Sequence, residues 1–270
     1  MNRPPATPDG LSIRERVALG SALVDFLAGS ADIRTLLVKG PAAEQALGYS
    51  RLSMDVDVLV EPGRFQDLLD LLCAHGFVGD LGAVKESWAH SVEVVSDEWS
   101  IAIDVHRWFP GIDVPADRAF EVLWSCAAPV ELAGRPCTTV DRPAHAVLIG
   151  LHAARNRRGS RKHAEIADAW AALTSSERNE MHRLAADLGA EPVLGIVLED
   201  FSAATSGRVR SRWEARAHKR VLRIWYYRVR DSDNLWRTGR EVLRGLRRRR
   251  GRRAKSATGS GTRVPRQGPR

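Results

Sequence analysis

Residues 54–60 read MDVDVLV. Val56, Val58 and Val60 alternate with Asp55, Asp57 and Leu59, the period of two that predicts a β-strand. Side chains at i and i+2 share a face, so both carboxylates project to one side and the valines to the other. Two unpaired carboxylates beside an apolar core are costly, because a low-dielectric surround disfavours charge. A cation held between them removes that cost. The stretch therefore predicts a strand that carries a site as well as a core face.

The surrounding pattern is mixed. Upstream, Ser12 and Glu15 have capping-box spacing and open an amphipathic helix to about Ala28. IRTLLVKG (33–40) reads as a buried strand ending at Gly40, and PAAEQALG (41–48) as a short helix with proline in its first turn and glycine at its end. Downstream, GRFQDLLDLLCAHG (63–76) is a helix closed by Gly76. HSVEVV (90–95) and WSIAIDVHR (99–107) flank SDE as a hairpin. In its second strand Ala102, Asp104 and His106 share one face.

After about residue 141 the periodicity turns helical. Asp141 caps RPAHAVLIGLHAARN, KHAEIADAWAAL follows, and Thr174 with Glu177 forms a second capping box. A further helix is expected over about 191–204, then a basic, aromatic helical region, RWEARAHKRVLRIWYYRVR. The expected organisation is a mixed α/β domain over residues 1–140, a helical domain over 141–245 and a disordered Arg-rich tail over 246–270.

The chain has 270 residues, 44% of them apolar, which is ample for a core. No apolar run approaches a membrane span, and MNRPPATPDG lacks the apolar stretch of a signal peptide. Cys73, Cys126 and Cys137 show no C-x-x-C spacing. A reduced, cytoplasmic protein is expected. The net charge of +8 conceals two regions: residues 208–270 hold 22 Lys and Arg against 4 acids, or +18, and the remainder is −10.

Three features converge on one chemistry. A strand ends in Lys39-Gly40 at a helix N-terminus, where free backbone N–H groups attract anions. The next strand carries Asp55 and Asp57, and a later one carries Asp104. Carboxylates on neighbouring strands beside an anion-binding turn suit Mg2+ or Mn2+ holding a nucleoside triphosphate. Two such ions activate an attacking oxygen and stabilise the leaving pyrophosphate.

The stretches LLVKGPAAEQAL, SRLSMDVDVLV and AIDVHRW, with the helical LIGLHAARN and EIADAWAAL beyond them, carry a resemblance. The sequence resembles the polymerase beta-like nucleotidyltransferase superfamily. Within it, the sequence is most similar to a bacterial family with lysine-glycine in the first motif. The resemblance covers about residues 30–175. It implies an α+β fold, a small mixed sheet with helices on one side followed by a helical bundle. It maps Asp55, Asp57 and Asp104 to the catalytic metal-binding triad. Lys39 and Gly40 fall where many members have glycine-serine, so the usual serine contact to the triphosphate is missing, and the lysine cation either replaces it or serves something else. Arg51 falls where this family places an arginine before the metal strand, and His152 and Asp168 match weaker positions.

Other residues keep two readings each. His106 either touches substrate or orients the site, or is a hydrogen-bonded structural histidine. Arg51 pairs with phosphate bidentately or with a surface carboxylate. Trp88, Trp99, Trp108 and Trp124 suit core packing better than base stacking, and His145, His152 and His163 lack zinc-ligand spacing. The basic segment is a solvated face with a tail, or a contact for nucleic acid or an anionic surface through phosphates. The leading expectation is a metal-dependent transfer of a nucleoside monophosphate from a triphosphate to an unidentified hydroxyl-type acceptor. Asp55 and Asp57 would hold the metals, and Asp104 would complete one metal site and help deprotonate the acceptor. Its rival is a non-catalytic scaffold of the same fold that binds polyanions through its basic C-terminus.

Overall fold

The computed structural model describes residues 10–50, 53–79, 90–156 and 160–217, all within a compact unit, Met1–His218. Helix α1 (Ile13–Ser30) starts at the Ser12–Glu15 capping box. Strand β1 (Thr35–Val38) runs into α2 (Gly40–Leu47), and β2 (Val56–Val60) leads through a 3-10 turn to α3 (Phe65–Ala74). The short β3 (Val78–Gly79) precedes the hairpin of β4 (Ser91–Ser96) and β5 (Ile101–His106). Helix α4 (Ala116–Trp124) and a second hairpin, β6 (Ala127–Leu132) and β7 (Arg135–Val140), complete the sheet. Helices α5 (Arg142–Ala154), α6 (Arg161–Ala172), α7 (Ser175–Asp187), α8 (Glu191–Leu194) and α9 (Gly207–Ala217) follow.

The seven strands form one mixed sheet in the order β3-β4-β5-β2-β1-β7-β6. Strand β2 is antiparallel to β1 and parallel to β5, which puts Asp57 opposite Val38 on one side and Asp104 on the other. The period of two then sorts the faces. Val56, Val58, Val60, Ile103 and Val105 pack with α1 and α3 in one core cluster. Leu36, Val38 and Leu59 join α4, α5 and the later helices in another. The expectation of helices on one side is therefore corrected: both faces of the central strands are covered, because both carry apolar residues. Helix α5 is buried around nearly its whole circumference, as befits a helix central to the core.

Other departures have local causes. Asp55 precedes β2 instead of lying within it. The helix expected over 191–204 is broken. Helix α8 stops at Leu194, and the chain folds back so that the Thr205 hydroxyl donates to the Pro192 carbonyl at 2.8 Å. A side chain at Gly195 would meet the Phe201 carbonyl oxygen at 2.2 Å, so only glycine lets the two segments approach this closely. The basic α9 buries Trp213 in the core. No described helix is long and apolar enough to cross a membrane.

Candidate active site

The sheet face that buries Leu36, Val38 and Leu59 turns polar at one end, where Asp57, Asp104 and His106 emerge from β2 and β5. Lys39 stands immediately after β1, beside Asp57. Its backbone, at φ 59° and ψ −154°, lies in a region almost reserved for glycine. Such a conformation costs about 1–3 kcal/mol and persists only where the surroundings fix it. The side chain is itself anchored. Lys39 Nζ donates to Asp57 Oδ1 at 2.5 Å, with the lysine 4% and the aspartate 7% exposed. Helix α2 begins at the next residue without a side-chain cap, which leaves its first N–H groups to other acceptors. Gly40, the first residue of α2, also has a positive φ of 48°.

His106 ties the two carboxylates together. Its Nε2 lies 2.9 Å from Asp57 Oδ1 and 3.1 Å from Asp104 Oδ2, and it is 1% exposed. Both contacts are acceptors, so the ring carries a proton on Nε2. Nδ1 has no hydrogen-bond partner among the described residues, and Phe109 stacks on the ring at 4.6 Å. Asp57, Asp104 and His106 present donor atoms all within 4.8 Å of one another.

Asp55 lines the same cavity, a space of about 560 Å³, and takes a hydrogen bond from Ser53. The three carboxylates and Lys39 thus line one cavity, and Met54, exposed at 62%, lines it too. The compact donor cluster, however, contains His106 and not Asp55. The cavity is also lined by His90, His152, Arg155, Asn156 and Lys162. Of these, the sequence pattern singled out only His152. Asp168 is exposed on α6 and is not among the lining residues. Arg51 and Trp88 lie outside the described residues, as does most of the basic segment. Trp108 meets His90 edge-on, Trp124 stacks on Phe120, and Trp99 is not among the lining residues either. His145 bonds Thr139, and His163 lies 3.4 Å from the Asn156 carbonyl oxygen.

The carboxyls differ in electrostatics. Burial opposes the charge on Asp57, but Lys39 and His106 outweigh it and hold the carboxyl far below the ordinary range. Burial likewise opposes charge on Asp104, and the His106 hydrogen bond reverses the outcome. Burial and the neighbouring Asp57 push Asp55 up, and Lys39 and the Ser53 hydrogen bond offset only part of this. Burial holds the His90 and His152 imidazoles down to about 3, with Arg155 and Lys39 respectively the next contributors.

A histidine depressed on folding binds its proton more readily in the unfolded chain. Stability is then retained above the unfolded pKa of about 6.5 and lost as pH falls below it. Each of His90 and His152 should cost on the order of 1–2 kcal/mol at pH 5. The melting temperature should fall between pH 7 and pH 5, and His152→Gln should flatten that dependence. An equal slope in the variant would show that His152 is not the group responsible.

Comparison with known proteins adds to this geometry. Among solved structures, the chain is similar to the antibiotic-resistance factor ANT(2'')-Ia, at 16% identity and TM-score 0.42, over 78% of this chain and 100% of that one. It is similar to the lincosamide antibiotic adenylyltransferase LnuA at 12% identity and TM-score 0.35, over 63% and 96%. An antigenic nucleotidyltransferase-like protein from Paracoccidioides brasiliensis matches at 13% and TM-score 0.39, over 67% and 94%. These likenesses are loose. No curated protein matches the chain. A family model does match, over residues 23–199, and that span holds Lys39, all three aspartates, His106 and the helices around the cavity. The chain belongs to that family, described as "Uncharacterised nucleotidyltransferase".

Proposed function

We propose that this chain moves a nucleoside monophosphate from a nucleoside triphosphate to a hydroxyl-type acceptor, using Mg2+ or Mn2+. The observation that carries the reading is the pair Asp57 and Asp104, in register on adjacent parallel strands and tied through one histidine proton. The donor set fits a hard divalent cation: carboxylate oxygens within a few ångströms of each other, with Asp55 in the same cavity. Lys39 Nζ, drawn against Asp57, marks the place as one that attracts positive charge. Asp55, Asp57 and Asp104 would hold the cation, and when bound it would neutralise charge developing on the phosphates.

The chain's own groups do the rest. Lys39 and the first N–H groups of α2 bind phosphate oxygens. His106 keeps Asp57 and Asp104 oriented through Nε2–H. The acceptor oxygen attacks the α-phosphorus, the bond to the pyrophosphate oxygen breaks, and Asp104 takes the hydroxyl proton. The acceptor is a small molecule, an RNA end or a protein side chain.

The test is incubation of the protein with each labelled nucleoside triphosphate, Mg2+ or Mn2+, and cell extract. Label should pass to one class of acceptor and should cease on chelation. A folded, metal-binding protein that labels nothing with any of the triphosphates would instead support the polyanion-binding scaffold.

A further inference from the structure

We propose that Arg155, oriented by His90, holds the terminal phosphates of the triphosphate. The inference rests on the nucleotidyl-transfer reading and assigns residues to its substrate. Three cations line the cavity among the described residues, and they differ in what engages them. Lys39 is ion-paired with Asp57 at 2.5 Å. Lys162 lies 3.2 Å from the buried Glu165. Arg155, just after α5, has no carboxylate within ion-pair distance among the described residues. Its contact is with a ring nitrogen, Nη1 to His90 Nε2 at 3.2 Å.

That contact has a chemical consequence. A guanidinium only donates, so His90 must accept through Nε2 and carry its proton on Nδ1. The imidazole is neutral, held so by burial and by Arg155 itself. A carboxylate at this position would orient the guanidinium and also cancel its charge. A neutral histidine orients the planar fork and leaves the charge uncancelled. Burial lowers the proton affinity of Arg155, with Asp104 and Asp57 opposing this from beyond ion-pair distance. A desolvated guanidinium whose one hydrogen bond among the described residues is to His90 suits a bidentate anion, and phosphate oxygens match its fork. In the proposed reaction the α-phosphorus lies at the carboxylates. Arg155 lines the same cavity without pairing with them, so it suits the part of the substrate that departs, the pyrophosphate.

The experiment measures Mg2+-dependent binding of three probes to the unaltered protein and to variants: a non-hydrolysable α,β-methylene triphosphate, inorganic pyrophosphate and a nucleoside monophosphate. Arg155→Gln should weaken triphosphate and pyrophosphate about ten- to hundredfold and leave the monophosphate unchanged. Arg155→Lys keeps the charge without the fork and should fall between. His90→Leu should weaken pyrophosphate about tenfold, and His90→Gln, which restores an acceptor, should recover most of the loss. Far-ultraviolet circular dichroism and melting temperature confirm that each variant is folded. Should Arg155→Gln misfold, Arg155→Lys and the His90 pair carry the test. Unchanged pyrophosphate binding, or equal loss of the monophosphate, would overturn the inference and leave nucleotidyl transfer standing. An unaltered protein that binds neither triphosphate nor pyrophosphate would overturn both.

Discussion

Asp57→Asn should reduce nucleotidyl transfer at least about a thousandfold, a loss of roughly 4 kcal/mol of transition-state stabilisation. The substitution keeps size and shape and removes one charge. That charge is the one on which the site converges: Lys39 and His106 both meet Asp57 Oδ1. A cation bound by the cluster would lose its most buried carboxylate. The melting-temperature rise on adding Mn2+ should disappear in the same variant, which separates loss of the metal from loss of a catalytic proton. Asp104→Asn should match the activity loss with a smaller cost to the fold, because the Asp104 side chain is 27% exposed and bonds His106, not Lys39. A folded Asp57→Asn protein with an unchanged metal response would show that Asp57 is not a ligand.

Much of this site was legible in the chain. Alternation in MDVDVLV set Asp57 opposite the valines, and the same period in IAIDVH placed Asp104 and His106 on one face. Lys39-Gly40 between an apolar run and a proline marked the strand-to-helix turn. What stayed hidden arises from tertiary packing. His90, Arg155 and Lys162 reach the cavity from separate elements, and nothing in their spacing shows that they meet. Arg155 follows an apolar helix, where a basic residue reads equally well as a C-terminal charge favoured by the helix dipole. The β6–β7 hairpin carries no such signal either. Its two-residue turn is Ala133-Gly134, with φ of 50° and 74°. Such turns are usually signalled by Asn-Gly or Asp-Gly, and alanine gives no warning of a left-handed backbone. The break after α8 has no local signal, because Gly195 is required by the Phe201 backbone, a contact from outside the helix. The rival scaffold reading leaned on the basic run, most of which lies outside the described residues.

Lys39→Met should destabilise the metal-free protein by about 3 kcal/mol at pH 7, because it leaves a buried carboxylate with one of its two partners. The pair itself contributes little net stability, since desolvating both charges offsets most of their attraction; the cost arises from orphaning Asp57. The pH dependence follows from the depressed proton affinity of Asp57. A carboxylate held below its unfolded value contributes stability above about pH 3.9 and loses it as pH falls further. The gap between the unaltered protein and Lys39→Met should therefore be full at pH 7 and shrink toward pH 3. Metal should act in the opposite sense. Lys39 and a divalent cation compete for Asp57, so the melting-temperature rise on adding Mg2+ should be larger in Lys39→Met than in the unaltered protein. Triphosphate binding should weaken in the same variant, because the displaced ammonium is the group that would turn to phosphate. The double variant Lys39→Met with Asp57→Asn should recover much of the lost stability, since neither charge is then buried alone. Strictly additive losses in that cycle would mean that the 2.5 Å contact is not what holds Lys39 in its strained backbone.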